Sequence, residues 1–400
     1  MLAIIFSFFL FLIYAALILY YRQGWIDCEK FGLGRDAMIA SSIEQSGETE
    51  YWGRGTQFEV KPVSISVIIP ARNEEKNIKS CLESIAQQKY PKELYEIIVA
   101  DDFSTDATAT IVKNFAAKNL TLISLDKIVE PGSTNAYKKK AIEIAIGKAA
   151  GDLIVTTDAD CIVPINWLNT IADFYAEYKP TFIAAPVAYT QENSFLSIFQ
   201  SLDFMTLQGI TGASVFKKFH SMCNGANLAY EKKVFYEVKG FEGVDHIASG
   251  DDMLLMHKIA TLYPDRVKFL CSKNAIVNTS PMPTVKGFLN QRIRWASKTG
   301  SYTDKKIVVV LAIVYIFNVW ILVAGIICFF NYSILPWCLG MLIGKIIVEL
   351  FFLYPVASFF NKKKLLWWFS VAQPFHVVYT IVAGWMGRFG KYEWKGRSEP

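Results

Sequence analysis

The sequence has no Cys-x-x-Cys pair; its seven cysteines are scattered. Cys28, Cys81, Cys161, Cys223 and Cys271 fall in stretches that read as soluble, Cys328 and Cys338 in apolar runs. That distribution fits a reducing compartment and argues against a disulfide framework or a zinc site. The four histidines (220, 246, 257 and 376) are too dispersed for a His-rich metal site. No internal repeat and no low-complexity tract is present. Charge of one sign is scarce as well: a formal net charge of +5 over 400 residues is mild, and no nucleic-acid partner is expected.

What the chain has in excess is apolar residues, at 52%. Residues 1–21, MLAIIFSFFLFLIYAALILYY, carry no charge and are long enough to span a hydrocarbon core of about 30 Å. With no basic start and too long an apolar stretch for a signal peptide, they read as an uncleaved anchor. Ile307 to Phe330 is a second charge-free run of spanning length. A third, from Tyr332 to Phe360, holds Lys345 and Glu349 four residues apart on one helical face, where they are expected to pair. A fourth, Leu365 to Met386, is interrupted by Pro374 and His376. Lys362, Lys363 and Lys364 follow the third run; Arg388, Lys391, Lys395 and Arg397 follow the fourth. The positive-inside rule draws both clusters to the cytoplasm. A simple span between them cannot satisfy both, which leaves a re-entrant or interfacial fourth segment open. The expected organisation is an anchor at 1–21, a polar linker at 22–62, a domain at 63–300 ending in an interfacial helix near 285–300, two or three membrane segments over 307–386, and a basic tail at 387–400.

From residue 64 the pattern alternates. SISVIIPA (64–71), YEIIVADD (95–102), LTLISL (120–125) and DLIVTTDAD (152–160) read as strands. Between them, Ile78, Cys81, Leu82 and Ile85 recur at helical spacing with Asn73 as a candidate N-cap, and two further helical stretches start near Ser104 and Lys138. Alternating β and α units imply an α/β domain with a mostly parallel sheet. Ligands bind such sheets beyond the carboxyl ends of the strands. Three strand ends carry polar residues: Pro70 to Glu74, Asp101 with Asp102, and Asp158 to Asp160. One rim, and so a single site, is expected.

In an extended segment residues i and i+2 point the same way, so Asp158 and Asp160 would present two carboxylates to one divalent cation. Mg²⁺ or Mn²⁺ suits oxygen ligands and bridges to substrate phosphates. The bland alternative is a solvated Asp-Ala-Asp turn. Ser104 to Asp106 read as helix capping, and Asp102 as an acceptor for a nucleobase imide or a ribose. Asp251 and Asp252 precede the helical MLLMHKIATLY; the expectation is that Asp251 caps while Asp252 faces the site, where a carboxylate can take the proton of an attacking hydroxyl. In FLNQRIRWASK, Gln291, Arg294 and Trp295 share one helical face. A guanidinium there can grip a diphosphate and an indole can stack on a sugar ring. An amphipathic helix ahead of a membrane span is the alternative, and both readings can hold. Asn224, Gly225 and Asn227 mark either an acceptor region or a turn, and 194–210 reads as a core or membrane-facing helix.

VSISVIIPARNEE, EIIVADDFSTDAT, GDLIVTTDADC, SGDD and QRIRW, in this order, resemble a family 2 glycosyltransferase of GT-A (Rossmann-like) fold, over roughly residues 63–300. The flanking membrane segments are similar to those of its membrane-anchored branch, which includes cellulose, hyaluronan and poly-N-acetylglucosamine synthases. The resemblance implies a nucleotide-binding loop at Pro70, Arg72, Asn73 and Glu74, a uracil-contacting Asp102, a donor-binding Lys138, a metal-binding Asp158 and Asp160, and Asp252 as the base. Asp251 stands where the family has Glu. It further implies an inverting, membrane-bound transferase in the cytoplasmic membrane with its catalytic domain in the cytoplasm. The expected partners are a nucleotide-sugar donor, with a UDP-sugar foremost, a lipid or polysaccharide acceptor, and export or assembly proteins. A non-catalytic nucleotide-sugar-binding scaffold is the alternative of another class.

Overall fold

The structure, a computed structural model, describes residues 2–32, 62–130, 132–219, 222–298, 304–390, 392–394 and 397–399. Most of the expected 22–62 linker, and Lys391 and Lys395 of the expected basic tail, lie outside the described residues.

Most of the apolar runs of the central domain become strands buried on both faces. β1 (Ile65–Ala71), β2 (Tyr95–Asp101), β3 (Leu120–Ser124) and β4 (Leu153–Thr156) pair in parallel in the order β3-β2-β1-β4. Beyond β4 the sheet continues through short strands. β5 (Phe182–Ala184), β7 (Leu228–Glu231) and β8 (Val267–Phe269) extend it in the order β4-β7-β5-β8, with β7 antiparallel to both neighbours. β6 (Val187–Tyr189) and β9 (Val277–Thr279) form a separate parallel pair. β4 is shorter than the expected 152–160: it ends at Thr156, and the backbone turns at Asp158, whose carbonyl accepts the Cys161 amide at 3.1 Å.

The N-terminal helix α1 (Leu2–Asp27) runs past the expected end of the anchor at residue 21. α2 (Ile78–Ala86) buries Ile78, Cys81, Leu82 and Ile85, the stripe read from spacing. Asn73 does not cap it. Asn73 has φ 51°, in the left-handed region that Asn tolerates, and its Oδ1 accepts the Thr105 amide at 2.9 Å. α3 (Thr108–Lys113) is short, and Asp106 Oδ1 accepts the Thr108 amide at its start. α4 (Tyr137–Lys148) and α5 (Trp167–Tyr178) cover opposite faces of the sheet.

α6 (Phe195–Phe216) opens with a capping box of Ser194 and Ser197 and joins the domain to the apolar helices. Its small residues permit close approach. A methyl group on Gly209 would lie 2.7 Å from a Val356 methyl, and one on Gly212 2.8 Å from the Trp25 ring. The short α7 (Lys232–Glu237), α8 (Met253–Leu262) and α9 (Val285–Ala296) follow. α10 (Lys305–Cys328), α11 (Leu335–Phe359) and α12 (Phe369–Phe389) complete the fold, and with α1 supply four helices long and apolar enough to cross a membrane. Pro374 sits inside α12 without ending it. One apolar core runs from the sheet face at Ile68, Ile98 and Ile154 through α6 to Tyr14, Phe317 and Phe352 of the apolar helices.

Candidate active site

Twelve of the site residues named from the sequence line a single cavity of about 880 Å³: Pro70, Arg72, Glu74, Asp102, Lys138, Asp158, Asp160, Asp251, Asp252, Gln291, Arg294 and Trp295; Asn73, of the same loop as Arg72, does not. Fold connectivity explains the convergence. The strand ends of β1, β2 and β4 lie side by side in register, with Ala71 opposite Asp101 and Ile68 opposite Thr156. Segments that follow them therefore share one rim.

At the first strand end, Arg72 donates to the carbonyls of Asp102 (2.8 Å) and Phe103 (3.2 Å), while the Asp102 amide donates to Ala71 O at 2.8 Å. The amides of Asn73, Glu74 and Glu75 donate to Ser104, Thr108 and Asp106 side chains. The Pro70–Glu74 loop is thus stitched to the loop after β2, and Ser104 and Thr108 serve that junction rather than capping α3 alone. Asp101 is buried beneath it, and burial pushes its carboxyl above the usual carboxylate range.

Lys138, at the start of α4, joins two otherwise separate acidic segments. Its Nζ lies 2.8 Å from Asp158 Oδ1 and 3.2 Å from Asp251 Oδ2. Burial works against its charge, and Asp158 with Asp251 outweighs that effect, so its pKa is raised. Burial likewise opposes ionisation of Asp251, yet Lys138 and Lys298 hold its carboxyl below the usual range. Asp158 and Asp160 lie in a turn rather than an extended strand, so the i, i+2 argument is not what aligns them; the turn brings both to the cavity wall.

The capping expectation for the two acids of SGDD is not met. Asp252, not Asp251, is the N-cap of α8: its Oδ1 accepts the Met253 amide at 2.7 Å, and its Oδ2 accepts the Gly225 amide at 3.2 Å. Asp251 faces Lys138 instead. Both still line the cavity. Gly225 is where this approach happens; a Cβ there would sit 3.2 Å from Asp251 Oδ2. Asn224 and Gly225 face the cavity, but Asn227 does not. Fully buried, it accepts from Trp167 Nε1 (2.9 Å) and donates to Pro186 O and Ala275 O, a structural bracket.

α9 brings Gln291, Arg294 and Trp295 to the cavity together, as one face of a helix should. The sequence reading missed what holds that helix. Arg292 is buried, donates to Asp203 of α6 (Nε to Oδ2, 2.9 Å) and Gln291 (3.0 Å), and lies 4.3 Å from the Trp295 ring centre. Tyr379 of α12 donates to Asp203 as well. A signal existed: Asp203 is the only charged residue in the 22 residues of α6. Tyr14 and Gln373, also missed, line the apolar-helix end of the same cavity with Glu349, which pairs with Lys345 at 2.7 Å as its spacing led us to expect.

The donor set fits a hard cation that shares its coordination with a substrate. Among the described residues no group of three or more His, Cys, Asp and Glu side chains gathers as a cage. Asp158 and Asp160 supply carboxylates only. Burial keeps the adjacent Cys81 and Cys161 thiols protonated, which removes them as soft ligands. Two carboxylates with the remaining positions left to phosphate oxygens and water is the habit of Mg²⁺ and Mn²⁺.

Comparison with known proteins agrees with this architecture. The family model "Glycosyl transferase family 2" matches residues 66–239, and "Glycosyl transferase family group 2" matches residues 153–386, more than half of the chain. The chain belongs to glycosyl transferase family group 2. The chain spans less than two thirds of the length of the first curated relatives it matches. Glycosyltransferase AglE of Haloferax volcanii is 26% identical over 189 residues, 47% of this chain and 59% of that protein. A dolichyl N-acetyl-alpha-D-glucosaminyl phosphate 3-beta-D-2,3-diacetamido-2,3-dideoxy-beta-D-glucuronosyltransferase of Methanococcus voltae is 27% identical, over 59% of this chain and 73% of that protein. The chain spans only 17% of another relative, a poly(ribitol-phosphate) beta-glucosyltransferase of Bacillus spizizenii, at 37% identity over 111 residues. Among solved structures, the mannosyltransferase PcManGT from Pyrobaculum calidifontis, in complex with GDP-Man and Mn²⁺, superposes with a TM-score of 0.50 at 18% identity, covering 93% of this chain and 98% of that one. That likeness shows the shared GT-A fold.

Proposed function

We propose that the protein transfers a sugar from a nucleotide-sugar, a UDP-sugar foremost, to a membrane-associated acceptor on the cytoplasmic face, with inversion at the anomeric carbon. The observation that carries this is the one cavity in which acids from four chain segments meet Gln291, Arg294 and Trp295 and which then continues between α1, α10, α11 and α12. The loop at Pro70, Arg72 and Glu74 orients the nucleotide, and Asp102 accepts from its base. Asp158 and Asp160 would hold Mg²⁺ or Mn²⁺, which when bound neutralises charge on the departing diphosphate. Arg294 grips the same diphosphate, and Lys138 holds Asp158 and Asp251 in register across the donor site. Trp295 offers a flat surface to a sugar ring. Asp252 takes the proton of the attacking hydroxyl; a carboxylate has about four lone-pair sites, and its two backbone contacts together with Lys298 Nζ at 3.7 Å leave room for one more.

Two acceptor classes follow from one cavity. Its apolar far half, with Ile18, Leu202, Ile210, Leu311 and Phe352 in its walls, favours a lipid. Aromatic and polar groups nearer the carboxylates suit a growing glycan, which would require export or assembly partners. The relative of Methanococcus voltae is described as acting on a dolichyl-linked sugar, the relative of Bacillus spizizenii on poly(ribitol-phosphate).

The test is donor profiling: membranes holding the protein, a panel of UDP- and GDP-sugars, with and without Mn²⁺ or Mg²⁺, reading nucleotide release and labelled product. Metal-dependent transfer to an extractable lipid or a long chain is expected, and the product separates the two acceptors. Full activity after exhaustive chelation would overturn the metal assignment, and donor binding with no turnover on any acceptor would favour the scaffold.

A further inference from the structure

We propose that Cys328 and Cys338 form a disulfide across the α10–α11 turn, on the side of the membrane opposite the sheet domain. This rests on the proposed function, which sets the sheet domain in the cytoplasm and so turns the far end of the apolar helices outward.

The two thiols stand in contact. Cys328 Sγ donates to Cys338 Sγ at 2.8 Å, and Cys338 Sγ donates to Ala324 O at 3.4 Å. A disulfide bond measures about 2.05 Å, so a small side-chain movement closes the gap. Cys328 is the last residue of α10, and Cys338 lies in the opening turn of α11. Little else holds the two helices together there. α10 buries only Ile307, Phe317, Asn318 and Cys328 along its length, and no residue of α11 before Met341 is buried. Phe329, Phe330 and Tyr332 of the turn are at least three-quarters exposed. A covalent link at this point fixes a hairpin end that packing does little to hold.

The helix contacts place that turn away from the sheet domain. Trp25, near the end of α1, packs on Phe269 of β8 and on Phe359 at the end of α11. A methyl group on Gly344 of α11 would lie 3.0 Å from the Phe11 ring, so α1 and α11 run parallel, with residues 25 and 359 at the sheet domain. α10 runs the other way: its Phe317 stacks on Tyr14 of α1, and its Trp320 meets Phe6 and Ser7. Cys328 and Cys338 therefore lie at the distal end.

A second thiol pair lies at the near end. Cys28 follows α1, Cys271 follows β8, and both are buried. A hydrogen bond with Cys271, then burial, pushes the Cys28 thiol well above its usual range. Facing a cytoplasm kept reducing by thiols, this pair stays open. The two pairs differ in side rather than in kind, and only the outer one oxidises. The want of a Cys-x-x-Cys spacing does not bear on it, because Cys328 and Cys338 meet where a turn folds one helix back on the next.

The oxidant is a disulfide outside the cytoplasm. The thiolate of Cys338, the more exposed of the two, attacks one sulfur of that disulfide, releasing one thiol and leaving a mixed disulfide at 338. The Cys328 thiolate then attacks Cys338 Sγ, and the second thiol leaves. The protein gives up two electrons and two protons, and the oxidant takes both as its disulfide becomes two thiols.

The test quenches membranes carrying the full-length protein with acid and denatures them in a light maleimide. Reduction and an isotopically heavy maleimide follow, and mass spectrometry reads each cysteine peptide. Heavy label at 328 and 338 is expected, with light label at 28 and 271; in Cys328→Ser the label at 338 should turn light. Light label at 328 and 338 would overturn the disulfide, and purified full-length protein in micelles with glutathione disulfide then shows which premise failed. Closure in micelles would mean that the thiols pair but face a reducing side, so the cytoplasmic placement of the sheet domain falls as well. Failure to close would condemn the pairing alone and leave the proposed function standing. Heavy label at 28 and 271 with light label at 328 and 338 would reverse the sides and overturn both.

Discussion

At the scale of residues, Lys138 and Asp252 make the most direct predictions. Asn caps helices about as well as Asp, so Asp252→Asn should keep the α8 cap and the fold while removing the base and the acceptor of the Gly225 amide. Transfer is expected to fall by about 10²–10⁴-fold, with donor binding retained, as measured by turnover beside calorimetric titration of the donor. Undiminished transfer would remove Asp252 from this role. Lys138→Met leaves Asp251 buried without its nearer cation. Because the native carboxyl is held below its unfolded-state value of about 3.9, its stabilisation is present above that pH and fades as pH falls through the native value. The gap in thermal midpoint between native protein and Lys138→Met should be widest near neutrality and narrow below about pH 4, followed by a pH series of melting curves. A gap that stays constant with pH would mean that Asp251 contributes nothing through this ion pair.

At the scale of elements, the buried Asp203–Arg292 pair ties α9 to α6, and Tyr379 adds α12 to the same knot. Removing one member leaves a charge unpaired in the interior, a loss of about 3–5 kcal/mol. Arg292→Met is expected to lower the melting midpoint sharply, and Asp203→Leu with Arg292→Met to recover much of it. A double variant as unstable as the single one would show that the pair does more than cancel charge.

The same elements show what a sequence makes legible. The long buried strands β1 and β2 and the α2 stripe were read within a residue or two, because apolar periodicity over seven or more residues has few alternatives. β5, β6, β8 and β9 have three residues each and escaped, since so short a run carries no period. The site residues were legible as types at strand ends. Their partners were not: that Lys138 bridges Asp158 and Asp251, or that Asp252 rather than Asp251 caps α8, is decided by packing between segments about 100 residues apart.

At the scale of the whole molecule, the sheet domain and the apolar helices meet at glycines of α6 that let Val356, Phe352 and Trp25 side chains pack against its backbone. Gly209→Leu would drive a side chain into Val356 and Phe352. Overpacking of this kind costs about 1–3 kcal/mol, and here it should also part α6 from α11. Loss of transfer with donor binding preserved is expected, because the acceptor half of the cavity is built across that seam; unchanged transfer would argue that the seam is not part of the acceptor path.

The cavity has a further consequence for how such a protein can be handled. Tyr14 and Phe352 stand in the same walls as Asp252 and Trp295, so under the proposed function the reaction chamber would be a joint product of two phases, aqueous on one side and hydrocarbon on the other. A water-soluble fragment trimmed to the sheet and its helices would keep a place for the nucleotide but lose the floor on which the acceptor rests. Under the proposed function such a fragment would suit binding studies, and transfer would need the chain with its apolar helices.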